Sequence, residues 1–246
     1  MSDLVALIVA RFLSRRDVKA IQGDDGAYRP DRTAFTDEDI QRHIDGDISL
    51  GHYLVNQDGN CNLFALDIDL DNKGKWPDGT PFHPREVWRA GPSPEREILQ
   101  RNLRGLGEGL AWRIRNRLHI PAACAYSGSK GVHVYGFTGE VRAEDARSLA
   151  IEILRTTEQD PIRGETFWKH RWAFPYLTTE VFPKQTKVRE GDGLGNLMRL
   201  PLGIHTKTSK KAFFLKASAS HGRFVADDPE RALQYGTVGR REQPHQ

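Results

Sequence analysis

Residues 62 to 71, NLFALDIDLD, place three aspartates among Leu, Phe, Ala and Ile, which ordinarily fill a buried strand. Successive side chains of a β-strand point to opposite faces, so Leu66, Ile68 and Leu70 go one way and Ala65, Asp67 and Asp69 the other. Asp67 and Asp69 then stand roughly 6 to 7 Å apart at their Cα atoms. Two carboxylates so close repel, and burying them unpaired costs several kcal/mol, so a positive group should lie beside them. A divalent cation, Mg²⁺ or Mn²⁺, takes hard oxygen ligands of this kind, often together with substrate phosphates. A pair of such ions suits phosphoryl transfer. The plainer alternative is an exposed strand face whose aspartates are solvated or paired with Lys or Arg.

Three further segments carry groups of matching chemistry. In SGSKGVHVYGF (127 to 137), Gly128 and Gly131 let backbone amides converge on an anion, Ser127, Ser129 and Lys130 add polar contacts, and His133 projects from the start of a strand beside Tyr135. No GxxxxGK[ST] spacing is present, so this is not a Walker A loop. In TTEVFPKQ (178 to 185), Glu180 sits in an apolar strand and Lys184 follows it. Glu180 offers a third carboxylate for a metal site, or else a surface glutamate. In GNLMRLPLGIHTKT (195 to 208), Arg199 lies within an apolar run, with His205 and Lys207 after a Pro-Leu-Gly turn. A phosphate would satisfy all three, as would an acidic side chain for Arg199 alone.

The elements that must position these groups alternate in type. Residues 3 to 13 and 36 to 44 read as helices, the second with Thr36 as N-cap and acidic residues in its first turn. HYLVNQDGNCNLFALDIDL reads as two strands joined in a hairpin at Asp58-Gly59-Asn60. Residues 72 to 92 read as a loop, after which Ser93-Pro94-Glu95 opens a helix carrying Leu103, Leu106, Leu110 and Ile114. Strand, glycine turn and strand follow over 123 to 137, then a helix over 143 to 157, a strand at YLTTEVFPK and a short strand at KAFFL. Paired strands with helices between them predict an α+β or mixed α/β fold, not a doubly wound parallel sheet. A single domain over 1 to 235 and a frayed polar tail over 236 to 246 are expected.

The chain has 246 residues, 38% hydrophobic and 28% charged, which fits a globular protein. No apolar run approaches a membrane span or a signal-peptide core, so no membrane partner and a cytoplasmic location are expected. Cys61 and Cys124 lack the spacing of a zinc site and read as buried free thiols. The net charge of +3 is too small to imply nucleic acid by itself. Its distribution is uneven: Lys184, Lys187, Arg189, Arg199, Lys207, Lys210 and Lys211 fall in one stretch against Glu190 and Asp192. That stretch is either a solvated face or a phosphate-binding surface.

Taken in order, the four segments resemble the archaeo-eukaryotic primase superfamily. Asp67-Ile68-Asp69 matches its strand-borne DxD, Gly131-Val132-His133 its small-x-His, and Thr179-Glu180 its third strand with an acidic residue. SRRDVKA, DIQRHIDGDISLGHYLV, EVFPKQ and GLGNLMRLPLG are similar to the branch found in CRISPR-associated primase-polymerases and TOTE conflict systems, so the resemblance spans about residues 10 to 215. It implies a primase catalytic core with an RRM-like sheet and an N-terminal α/β unit. It also implies a DNA primase-polymerase that adds nucleotides to a 3′-hydroxyl. Asp67, Asp69 and Glu180 would hold two Mg²⁺ or Mn²⁺ ions, and His133 would contact the triphosphate of an NTP or dNTP. Ser127, Ser129, Lys130, Lys184, Arg199, His205 and Lys207 join it as candidate nucleotide contacts, while 207 to 211 would meet a single-stranded or primed DNA template. CRISPR adaptation proteins or a helicase are the implied partners. The rival readings are a metal-dependent nuclease or phosphodiesterase and a non-catalytic nucleic-acid-binding module. The chain has no cysteines for the zinc knuckle of many primases, which bears on unaided initiation more than on extension.

Overall fold

The computed structural model describes residues 3–170, 174–189, 193–217 and 223–234. Chain order is α1 (Asp3–Phe12), β1 (Lys19–Gln22), β2 (Tyr28–Asp31), α2 (Asp37–Asp45), β3 (Leu50–Tyr53), β4 (Asn60–Leu70), β5 (Gly74–Lys75), β6 (Pro81–Phe82), α3 (Pro84–Arg89) and α4 (Pro94–Arg113). A π-helical turn (Ile114–Leu118) then leads to β7 (Ala122–Tyr126), β8 (Gly131–Arg142), α5 (Ala143–Arg155), β9 (Gln159–Pro161), β10 (Phe167–His170) and β11 (Leu177–Phe182). The chain continues through β12 (Leu197–Arg199), β13 (Ile204–His205), β14 (Lys210–Lys211), β15 (Phe213–Phe214) and α6 (Pro229–Gln234). The tail expected to fray lies outside the described residues.

Two sheets organise the molecule. The larger has seven strands in the order β15-β7-β8-β4-β11-β10-β9, all antiparallel, with β4 at its centre. The smaller has the order β12-β3-β1-β2. The mixed α+β character read from the sequence is the one observed, and Asp37–Asp45 carries the expected N-cap Thr36, which closes a capping box with Asp39. Ser93 caps α4 as its residue types predict.

Two local expectations are corrected. β3 and β4 do not form a hairpin: β3 pairs with β1 and β12 in the small sheet, whereas β4 pairs with β8 and β11 in the large one. The turn itself forms, with the Asn56 amide donating to the Asn60 carbonyl, but the Leu54 amide is taken by Asn196 and the strands part. Residues 72 to 92 are not structureless. They fold into the β5–β6 ribbon, with Trp76 stacked on Phe82 at 3.9 Å, and into α3.

The large sheet buries its helix-facing side, including Phe64, Leu66, Ile68, Leu70, Val132 and Val134, with α4 and α5 packed on it. On its other face Phe12 of α1 meets Tyr135 edge-on at 4.9 Å and Phe137 at 5.4 Å. Cys61 and Cys124 are both free and buried, as expected. Among the described residues no helix is long and apolar enough to cross a membrane.

Two buried histidines lie in the N-terminal unit, and His43 fastens it. The Leu50 amide donates to His43 Nδ1 at 2.9 Å, and His43 Nε2 lies 3.0 Å from the Pro201 carbonyl, so α2 grips both β3 and the turn after β12. His52 lies edge-on to Phe12. Burial lowers both rings to about 4 from the ordinary 6.5. Their neutral forms therefore stabilise the fold above about pH 6.5, and that contribution is lost as acid protonates the unfolded chain first. The slope reaches about 1.4 kcal/mol per pH unit for each ring between those limits. Urea unfolding at pH 7 and pH 5 should show the loss, and His52→Leu should reduce the slope.

Candidate active site

β4 carries Asp67 and Asp69 to the middle of the large sheet, where neighbouring strands decide what they meet. Asp67 is directly opposite His133 of β8 on one side and Glu180 of β11 on the other. Directly opposed residues of an antiparallel pair share a face, so His133, Asp67 and Glu180 form a row across three strands. Asp69, two residues on, is opposite Gly131 and Thr178. The alternation read from the sequence holds, since Leu66, Ile68 and Leu70 face the buried side.

Charge compensation comes from lysines. Lys130 pairs with Asp69, Lys184 pairs with Glu180 at 2.5 Å, and Lys169 pairs with Asp71 at 2.8 Å. Asp67 differs. Among the described residues it has no ammonium or guanidinium in ion-pair contact, His133 Nε2 lies 3.4 Å from its Oδ1, and that oxygen is buried without a hydrogen bond. Lys130 is loosened in its hold on a proton by burial, an effect opposed by Asp67 and Glu180, which places its charge within reach of all three carboxylates. Burial also lowers His133, partly offset by Asp67, and keeps the ring neutral near pH 7.

The β7–β8 turn, Ser127 to Lys130, is held by its carbonyls. Ser127 O accepts from Arg199 at 2.8 Å, Gly128 O from Thr208 at 2.6 Å, and Ser129 O from Trp88 Nε1 at 2.7 Å and the Tyr126 hydroxyl at 2.9 Å. Pinning three successive carbonyls fixes the peptide planes, which is the preorganisation an anion cradle needs. Gly128 has φ +79°, and a Cβ there would also lie 2.9 Å from Lys210 O.

Arg199 reaches this turn from the other sheet. Its Nε donates to the Tyr28 hydroxyl at 2.8 Å and its second amino nitrogen to Gln22 Oε1 at 3.2 Å, so the guanidinium spans β1, β2 and the turn. No acidic partner satisfies it among these contacts. His205 lines the same cavity, lowered to about 4 by burial and then by Arg199. The cavity measures about 340 Å³ and is walled by Gln22 and Tyr28 on one side and by Asp67, Lys130 and His133 on the other. Of the sequence candidates, Asp67, Asp69, Ser127, Ser129, Lys130, His133, Arg199 and His205 line it. Glu180 is beside them in the row, Lys184 is turned to Glu180 and to the Phe182 ring at 4.7 Å, and Lys207 packs under the β1–β2 turn against Gly26.

Gln22, Tyr28 and Trp88 were not legible as site residues. Gln22 and Tyr28 flank Gly23-Asp24-Asp25-Gly26, a turn signal between short strands. Trp88 sits on a helix of six residues that has no periodic pattern to reveal it.

The donor set fits a hard divalent cation, because Asp67, Asp69 and Glu180 supply carboxylate oxygens and Asp67 Oδ1 is buried with no partner. Among the described residues no three His, Cys, Asp or Glu side chains are already drawn together as a metal cage. Lys130 and Lys184 are instead paired with Asp69 and Glu180.

A family model described as the TOTE conflict system archaeo-eukaryotic primase domain matches residues 11–227. No curated protein matches the chain.

The closeness of β8 to β4 generates a test of the site's framework. A Cβ at Gly131 would lie 2.3 Å from both Ile68 O and Asp69 Oδ1. Gly131→Ala should therefore cost about 2 kcal/mol or more, measured as a lower urea midpoint, by forcing the two strands apart.

Proposed function

The chain belongs to the archaeo-eukaryotic primase domain family of TOTE conflict systems, and from that premise we propose that it is a template-directed nucleotidyltransferase that adds nucleotides to a 3′-hydroxyl on DNA. Membership gives the coarser statement, a primase-type nucleotidyltransferase whose substrates are nucleic acid and nucleoside triphosphates. The observation that carries the finer reading is the row His133–Asp67–Glu180, of which His133 and Asp67 line a cavity that Arg199 also lines.

In this reading the triphosphate lies along the Ser127–Lys130 turn. Its oxygens receive donors from the turn, from Lys130 and from Arg199, whose planar fork suits phosphate geometry. Tyr28 and Gln22 hold that guanidinium in place, so little orientation is lost on binding. His133 faces the phosphates beside Asp67. Asp67, Asp69 and Glu180 are the residues that would hold Mg²⁺ or Mn²⁺, whose charge when bound lowers the pKa of an attacking hydroxyl and offsets that of departing pyrophosphate. Lys130 is paired with Asp69 and stands on the phosphate turn, so it can exchange a carboxylate for a phosphate without leaving the site.

Incubation with a primed template, one nucleotide and Mn²⁺ should lengthen the primer. Shortening alone would instead identify a nuclease. Asp67→Ala should abolish extension while leaving folding and DNA binding intact. If DNA binding were the protein's sole activity and survived that change alone, the chain would be a binding module. A template-only reaction separates priming from extension.

Lys130→Met should move two affinities in opposite directions. Calorimetry is expected to show Mn²⁺ binding tightened without nucleotide, because the ammonium competing for Asp69 is gone. Nucleotide binding should weaken about tenfold or more, the scale of a lost charged hydrogen bond.

A further inference from the structure

His133 has two ring nitrogens, and which one carries the proton decides whether it offers the site a donor or a lone pair. Its neighbour two residues along β8, Tyr135, shares its face and is fully buried. The phenol ring is enclosed by Phe12, edge-on at 4.9 Å, and by Phe137, stacked at 6.2 Å. Its hydroxyl lies 3.0 Å from His133 Nδ1, and burial keeps it protonated. Among the described residues that nitrogen is its hydrogen-bond partner.

The phenol hydrogen therefore has one acceptor. Were Nδ1 protonated, it would donate to the phenol oxygen and leave the buried phenol hydrogen without an acceptor among the described residues, at a cost of about 1–3 kcal/mol. With Nδ1 accepting, the ring proton belongs to Nε2, the nitrogen that lies 3.4 Å from Asp67 Oδ1 at the edge of the cavity.

We propose that Tyr135 is a positioning residue that fixes His133 as its Nε2–H tautomer, so that the histidine meets the nucleotide's phosphate oxygens as a hydrogen-bond donor and not as a general base. Tyr135 itself touches no substrate. This deepens the nucleotidyltransferase reading and rests on it for the identity of the ligand. A ring that donates from Nε2 and accepts at Nδ1 has no free lone pair with which to take the 3′-hydroxyl proton.

The tautomer can be read without activity. In ¹⁵N-histidine-labelled protein, with His133 assigned by its loss in His133→Gln, wild type should show a pyridine-type Nδ1 and a pyrrole-type Nε2. Tyr135→Phe keeps the ring that packs in the core and should move both signals towards their average as the tautomers interconvert. Its dissociation constant for a non-hydrolysable nucleoside triphosphate, measured by calorimetry, should rise about threefold to tenfold, the scale of one hydrogen bond. A pyrrole-type Nδ1 in wild type overturns the proposal even if Tyr135→Phe does not fold. So does a folded Tyr135→Phe with wild-type nitrogen signals and affinity. Wild-type protein that shows the expected nitrogen signals yet binds no nucleoside triphosphate overturns the functional reading instead.

Discussion

Three carboxylates on one face of a sheet, with a fourth just past the end of the central strand, must be compensated or the sheet would not hold them. Asp67 and Asp69 follow one another along β4, Asp71 comes just after its end at Leu70, and Glu180 stands beside Asp67 on the next strand. The chain answers with Lys130, Lys184 and Lys169, each from a different segment. Since these pairs are partly exposed, each contributes modestly to stability. Their larger consequence is spatial, because they set where positive charge lies beside the carboxylates. Asp67 is left with the His133 imidazole and a buried oxygen that has no hydrogen bond, so it alone of the four lacks a lysine partner among the described residues.

The second constraint is the distance between two sheets that share no strand. Arg199 crosses it, bonded to Tyr28 and Gln22 in the small sheet and to the turn between β7 and β8 in the large one. Gln22 also accepts from the Thr206 amide and donates to the Gly26 carbonyl, so the segment bearing His205 and Lys207 is tied to the same point. His43 secures the outer side of that segment, lying where any side chain on Gly203 would collide with its ring. Arg199 and the Ser127–Lys130 turn are thus held by hydrogen bonds to neutral groups. Trp88 does the same for the turn from a third direction.

The carboxylate strand, the glycine turn, the long helices and the mixed fold were legible because each is a local pattern. Alternation fixes which side of β4 bears Asp67 and Asp69. Ser93-Pro94 and Thr36 mark helix starts through the hydrogen bonds they can make. The Asp58-Gly59 turn was legible too, yet the hairpin inferred from it was wrong, because a turn fixes only the chain reversal. Whether the flanking strands then pair depends on competing partners, here β1 and β12 for β3 and β8 and β11 for β4.

The sequence by itself determined the chemical inventory: strand-borne carboxylates, a glycine turn, a strand histidine and an arginine in an apolar run, in an order that resembles one family. Only the tertiary structure decided who stands beside whom. It put Glu180 level with Asp67, gave Lys130 to Asp69, turned Lys184 to Glu180, brought Gln22 and Tyr28 to Arg199, and set Trp88 behind Ser129. The physical reason is that these contacts join residues far apart in the chain, through strand register and side-chain reach. Neither quantity is written in the spacing of any one segment.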